Sequence, residues 1–454
     1  MKTTIPFFCI VLALLSVIIS PTAQAVCQDG CDNSLFNTFQ GDDALISNTT
    51  GSGNTALGWR SLFSNSTGNF NIGVGGGALS LNNGDSNTAV GAAALLLNTS
   101  GTLNTATGTD ALVFNDSGID NTATGAFALF SNTTGDSNTG VGSEALLSNT
   151  IGFNNCAFGW DALKSNTTGN SNTAVGVVAL FTNSDGELNT AMGSGALFGN
   201  NVGSDNTAVG AGALGINSGG GGNTAVGFQA LGINVTGNGN VAIGASAFIN
   251  QTGGDGNVAL GSSAGSAVVT ASNVICIGMS EAGADVSNTC FIGNIRGVTT
   301  QIADAIPVLI DSAGQLGTTS SSARFKKDVK PMDKASEAVL AFKPVTFHYK
   351  TDKTSTPQFG LIAEEVAAVN PDLVVHDKSG EVYTVRYDAV NAMLLNEFLK
   401  QHRTVEEQEK KIEQQEAKIA HQQEQIEALT AGLQKVSAQL ELGNNAPHVA
   451  DNAH

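Results

Sequence analysis

Ser321 and Lys326 stand five residues apart in the run Ser321-Ser322-Ala323-Arg324-Phe325-Lys326. A serine hydroxyl becomes a competent nucleophile when a base takes its proton, and a lysine is such a base only as the neutral amine. Burial or neighbouring cations favour that form, and Arg324 and Lys327 flank Lys326. A bend in the short intervening segment brings hydroxyl and amine together. On spacing alone, a polar linker that opens a helix accounts for the same residues. The position is more telling than the spacing, because two unlike compositions meet here, which suggests a self-cutting joint.

Upstream of the joint, from Val26 to Ser320, only Arg60, Lys164 and Arg296 are basic, and the whole chain of 454 residues carries a formal charge of −19. Neutralising phosphates takes clustered Lys and Arg, so nucleic-acid binding is excluded for this stretch. The first 25 residues have the form of a secretory signal: Lys2, an apolar stretch from Ile10 to Ile19, and Ala23-Gln24-Ala25 as a small-x-small cleavage site. The expectation is an exported protein, secreted or at the cell surface, with no membrane span after signal removal; an uncleaved anchor is the alternative. Cys27 and Cys31 can close a small disulfide in an oxidising compartment. Cys156, Cys276 and Cys290 fall inside repeats and read as buried thiols. No cysteine spacing suggests zinc, and neither a metal nor a cofactor is expected.

The upstream stretch is periodic. Asn recurs at 37, 54, 71, 87, 104, 121, 138, 155, 172, 189, 206, 223, 240 and 257, a spacing of 17 broken by one of 16, within the consensus N-T-A-x-G-x-x-A-L-x-x-N. Irregular copies follow at Asn273 and Asn288. Such a period marks a solenoid whose coils bury their faces against one another. Each coil is expected to hold two short strands, N-T-A-V-G and A-L, joined by Asn/Gly/Ser/Asp turns. No proline occurs between Pro21 and Pro307, as continuous backbone ladders require. Successive strand residues face opposite ways, and both faces are apolar here, with Ala at the third position and Leu57, Val90, Phe158, Val175 or Met192 at the fourth. One face fits the coil interior; the other calls for a partner chain, or remains as the greasy side of a single solenoid. The array resembles the head repeats of trimeric autotransporter adhesins and related tail-fibre segments. It offers no His and no paired carboxylates at repeating positions, which argues against a carbohydrate-cutting site.

Downstream, residues 335–342 read as a helix, 345–349 as a strand that packs His348, 361–369 as a helix, and 374–375 and 382–387 as strands. From Tyr387 the chain reads as one long helix. Phe398, Val405, Ile412, Ile419, Ile426, Leu433 and Leu440 recur every seven residues, the pattern of a left-handed coiled coil. Gln401, Gln408, Gln415 and Gln422 lie on the same seam and select register and strand number.

Five ordered blocks in this region carry a second resemblance: S-S-A-R-F-K-K-D-V-K-P-M (321–332), F-K-P-V-T-F-H-Y-K (342–350), F-G-L-I-A-E-E-V (359–366), N-P-D-L-V (370–374) and V-R-Y-D-A-V-N-A-M-L-L-N-E (385–397). They resemble the self-cleaving chaperone domain at the C-terminus of phage endosialidase tailspikes and other tail fibres. That resemblance implies a domain that trimerises, assists folding of the fibre before it and then cuts itself away. It makes Ser321 the nucleophile, Lys326 the general base and Ser320–Ser321 the scissile bond. Arg324, Glu364 and Glu365 are possible supporting groups, although a solvated helix face also accounts for the two glutamates. The family pattern has aspartate where this chain has Ser322, and Ser320 to Ser322 leave the register open by one.

The expected architecture is therefore mainly β. Residues 1–25 are a signal, 26–36 a leader with the cysteine pair, and 37–294 a parallel β-solenoid or β-roll of 17-residue repeats. A neck (295–320), a small α/β chaperone and autopeptidase domain (321–397), a coiled coil (398–442) and a tail (443–454) follow. The expected function is a homotrimeric, adhesin-like fibre that releases its own assembly domain as a single-turnover serine peptidase. A fibre whose C-terminal domain trimerises without cutting is the alternative. A cell-surface or carbohydrate ligand is an open question at this stage.

Overall fold

The structure is a computed structural model that describes residues 29–302 and 304–443. The expected signal, Cys27 and the residues beyond Gly443 lie outside the described residues, and with them the expected Cys27–Cys31 bond. Two compact units divide at Thr299/Thr300.

The first unit is a β-solenoid of about 15 turns built on the 17-residue period. Each coil contributes one three-residue strand, and neighbouring strands pair in parallel and in register, as Thr105, Ala106 and Thr107 do with Thr122, Ala123 and Thr124. The ladder runs from Asn37–Gln40 to Thr289–Ile292, and strand Asp29–Asp32 pairs antiparallel with its first member. Strand alternation decides the faces. The central residue of most strands is an alanine and is fully buried, as at Ala106 and Ala123, while its neighbour at the fourth position is exposed at Val90, Phe158, Val175, Met192, Ile243 and Leu260. The outer face is thus an apolar column with nothing over it in one chain.

The expected second strand is absent. The A-L segment forms a tight turn in which Leu129 and its equivalents take φ near +50°, for example 51° at Leu129. A leucine in that region costs roughly 1–2 kcal/mol. The cost is offset because Leu129 is fully buried and its N–H reaches Ala145 O of the next coil at 2.9 Å. The same turn recurs in coil after coil, so leucines stack into a continuous apolar column with Ala111 and Ala128 beside it. Alternation of hydrophobicity over two residues does not distinguish such a turn from a strand.

Two columns of asparagine run inside the solenoid. Asn121 Oδ1 accepts from the Asn138 backbone N–H at 3.0 Å and from Asn138 Nδ2 at 3.1 Å, and Asn121 Nδ2 donates to Gly135 O at 2.8 Å. In the second column Asn132 Nδ2 donates to Asn115 Oδ1 at 2.8 Å and to Gly135 O at 2.9 Å. An amide has two donors and an acceptor with two lone pairs, so it satisfies backbone groups that no strand partner reaches. The glycine of N-T-A-x-G is demanded by the same stacking. Gly125 has φ of 134°, and a Cβ on it would lie 2.4 Å from Gly142 O. The one 16-residue coil loses its residue in a turn: Asn82 Nδ2 meets Gly84 O two residues on instead of three, and the ladder resumes at Ile72 opposite Thr88.

Cys276 is buried as expected, but Cys156 is half-buried and Cys290 exposed, because each occupies an outward strand position. Burial first, then Glu281 and Cys290, pushes the Cys276 thiol up to about 11.

The second unit is built of short pieces. A hairpin pairs Leu309–Ile310 with Leu316–Gly317 across a turn held by Asp311, whose carboxylate accepts the Ala313 and Gln315 N–H groups at 2.9 Å each. Three-ten helix Asp333–Ala341 follows, then the antiparallel pair Val345–Phe347 and Gln358–Gly360, helix Ala363–Val369, and the antiparallel pair Val374–His376 and Val382–Val385. His348 lies just beyond its strand and is exposed, so it does not pack there. The core is small: Val339, Val366, Leu373, Val374, Val385, Val390 and Met393. Helix Tyr387–Gly443 closes the unit and spans 57 residues. Its heptad residues from Phe398 to Leu440 are all exposed. No described helix is long and apolar enough to cross a membrane.

Candidate serine–lysine site

The chain between Ser320 and Lys326 folds on itself through one three-ten turn, Ala323–Phe325. Phe325 N–H donates to Ser322 O and Lys326 N–H to Ala323 O, each at 3.1 Å, while Ser322 N–H donates to Ser320 Oγ at 3.3 Å. This reversal returns Lys326 to the start of the segment, and its Nζ donates to Ser321 Oγ at 3.2 Å. The contact has the separation a nucleophile and base require. The whole stretch from Ser320 to Lys330 is exposed. In one chain, therefore, the pair is assembled but wet.

The other sequence-derived candidates do not converge on it. Arg324 lies with its guanidinium 4.6 Å from the Phe325 ring centroid. Glu364 and Glu365 occupy the first turn of helix Ala363–Val369 and are exposed; among the described residues neither hydrogen-bonds to Ser321 or Lys326. Carboxylates in a first helical turn complement the helix dipole, which accounts for their position.

A second serine–lysine contact escaped sequence reasoning. Ser336 is fully buried, and its hydroxyl donates to Glu397 Oε1 while accepting from Asn396 Nδ2 at 2.7 Å and Lys400 Nζ at 3.3 Å. Lys400 Nζ also lies 2.7 Å from Glu397 Oε1. The bond from Glu397 holds the Lys400 ammonium protonated to higher pH than usual, and Lys400, with Ser336, holds the Glu397 carboxyl below its ordinary range. A lysine held as ammonium is no base, so this cluster is a clasp. It ties the three-ten helix that follows the joint to the start of the long helix. Asn396 Nδ2 adds a bond to Asp333 O at 3.3 Å. The spacing N-E-x-x-K at 396–400, which puts all three side chains on one helix face, is the signal that points to it.

The model of the family described as chaperone of endosialidase matches residues 321–375. The match starts at Ser321 itself and ends within strand Val374–His376. A segment similar to that intramolecular chaperone family therefore follows a β-solenoid of stacked repeats. No curated protein and no solved structure matches the chain.

Proposed function

We propose that this chain is an exported, tail-fibre-like protein whose C-terminal unit gathers three copies, lets the solenoid form, and then cuts itself off between Ser320 and Ser321. The observation that carries the reading is the Lys326 Nζ to Ser321 Oγ contact of 3.2 Å at the first residue of the chaperone-of-endosialidase segment. The unit assigned to assembly and cutting is 321–397, followed by a coiled coil over 398–442; the neck is 295–320.

The chemistry follows from position. Lys326, as the neutral amine, takes the Ser321 hydroxyl proton. The oxygen attacks the Ser320 carbonyl carbon, the carbon–nitrogen bond breaks, and the Ser321 amine leaves with a proton. Water then hydrolyses the Ser320 ester, freeing the Ser321 hydroxyl. One chain cuts once, in cis. Assembly supplies the trigger, because exclusion of water favours the neutral amine.

Two exposed apolar surfaces support self-association: the heptad seam from Phe398 to Leu440 and the fourth-position column of the array. A parallel ladder has few local contacts to start from and folds slowly, whereas a coiled coil forms fast and holds chains at high effective concentration. Ser322, in place of the family's aspartate, favours a second reading in which the unit assembles the fibre without cutting. Expression of wild type beside Ser321→Ala and Lys326→Ala separates them. The first reading expects two fragments from wild type and one full-length oligomeric chain from each variant; two fragments from Ser321→Ala would overturn the assignment.

A further inference from the structure

The chain has two tryptophans, Trp59 and Trp160, and the regular coils hold two basic residues, Arg60 and Lys164. They fall together, in the coils that open at Asn54 and Asn155, and both tryptophans stand at the sixth position of the repeat. Most coils carry Gly, Ala, Ser or Thr there; Trp59 is 43% and Trp160 53% exposed. Each cation pairs with the carboxylate at the seventh position of the preceding coil. Arg60 Nε lies 3.5 Å from Asp43 Oδ2, and Lys164 Nζ 2.5 Å from Glu144 Oε2. Each also lies over a phenylalanine at the tenth position, Arg60 4.6 Å from the Phe63 ring centroid and Lys164 5.7 Å from that of Phe181. Arg60 braces the Trp59 ring as well, 5.2 Å from its centroid. On the following coil a Cβ at Gly76 would meet nothing within 4 Å, so the space beside Trp59 is open.

Stacking does not require either group, since coils that lack both pair in the same register. Their chemistry is that of a sugar-binding surface. The C–H face of a pyranose ring lies against an exposed aromatic ring, and the hydroxyls at its edge need donors and acceptors beside that ring. The carboxylates accept and the cations donate. Among the described residues Arg60 makes one side-chain hydrogen bond, from Nε to Asp43, so its Nη groups are unused donors. Each cation is already matched by a carboxylate, and the coils offer no other basic residue, so a polyanion finds no free positive charge. The ligand that fits is neutral. The two groups lie six coils apart in one column, about 29 Å at ~4.8 Å per coil. Between them the sixth position holds Gly76, Ala92, Thr109, Ala126 and Ser143, so no bulky side chain of that column intervenes. We propose that this column binds a neutral polysaccharide extended along the solenoid, with one sugar ring on Trp59 and another on Trp160. The column is separate from the fourth-position one, and the inference holds whether or not the chain cuts itself.

The test is native electrophoresis of the full-length chain in gels cast with dextran, mannan, galactan or laminarin, and with polygalacturonate as the anionic arm. Tryptophan emission is read in solution with the same polymers. The expected result is retardation by at least one neutral polymer, and a shift of tryptophan emission with that polymer. Trp59→Ala and Trp160→Ala should each weaken the retardation roughly tenfold. Trp59→Phe should keep most of it, and the double alanine variant should migrate as it does without polymer. No retardation by any of the four neutral polymers, retardation by polygalacturonate alone, or retardation unchanged in the double variant overturns the inference. So does altered sedimentation of the double variant, which would assign the tryptophans to contacts between copies. Processing at Ser320–Ser321, read by intact mass on the same samples, should be the same in wild type and tryptophan variants, so failure here leaves the assembly reading standing.

Discussion

Leu129 and Leu373 are both nearly inaccessible to water, yet they belong to different kinds of interior. Leu129 is one rung of a column that repeats from Leu62 to Leu231, each rung packed on alanines of the neighbouring coils. Leu373 sits among six other buried side chains, while Phe325, Val329, Leu340, Phe359 and Tyr383 of the same unit remain exposed. An interior of the first kind grows by adding coils and needs no second chain for its own closure along the axis. One of the second kind is too small to stabilise itself well, and gains from any partner that covers its exposed apolar groups. The array thus resembles a product, and the C-terminal unit a device that works in company.

The sharpest way to break that contrast is through glycine. Gly125→Ala places a Cβ 2.4 Å from Gly142 O at a φ of 134°, with backbone as the obstacle. It should cost more than about 4 kcal/mol and split the stack, so that limited proteolysis cuts near that coil. Gly380→Ala in the C-terminal unit meets open space at φ 87°, and should cost only about 1 kcal/mol in a melting curve.

Leucine truncation also separates the two interiors. Leu129→Ala and Leu373→Ala should each cost about 2–5 kcal/mol. In the array the loss stays local and the remaining coils melt cooperatively; in the C-terminal unit it should unfold the whole unit at low protein concentration, read by circular dichroism on dilution. Asn121→Ala comes next. It leaves the buried Asn138 N–H without its side-chain partner and removes one of the two amide donors to Gly135 O, where Asn132 Nδ2 remains, at about 1–3 kcal/mol for the orphaned N–H. Hydrogen exchange should show faster exchange at those two coils alone.

The smallest effect is a pH dependence at the end of the array. The Cys276 thiol rises from an ordinary 9.0 to about 11, so the folded state holds a proton that the unfolded state releases first. Stability of the last coils should be full below pH 9 and fall between 9 and 11. Cys276→Ala should flatten that slope in thermal melts at fixed ionic strength.

Much of the fold was legible in the sequence because its constraints are repetitive. The asparagine period, the missing prolines and the inward alanines each state a requirement of stacked coils many times over. The long helix declared itself through Phe398 to Leu440. The A-L turn did not, since a leucine at φ near +50° looks like any strand leucine until the coil above is in place. The asparagine columns were hidden for a related reason: Asn is a common turn residue, and only stacking reveals that its amide serves the chain above and below. At the joint, the Ser321–Lys326 pair was pointed to by its position and by the resemblance of the blocks around it, since its spacing alone fits a polar linker, whereas the Ser336 clasp joins residues about 60 apart and required the helix to be positioned first.

The most direct test of the central claim is the intact mass of the full-length chain after expression, wild type beside Ser321→Ala. The expected result is a C-terminal piece beginning at Ser321 in the wild-type sample and an uncut chain in the variant. An uncut wild-type chain, or a cut that persists in Ser321→Ala, would contradict it.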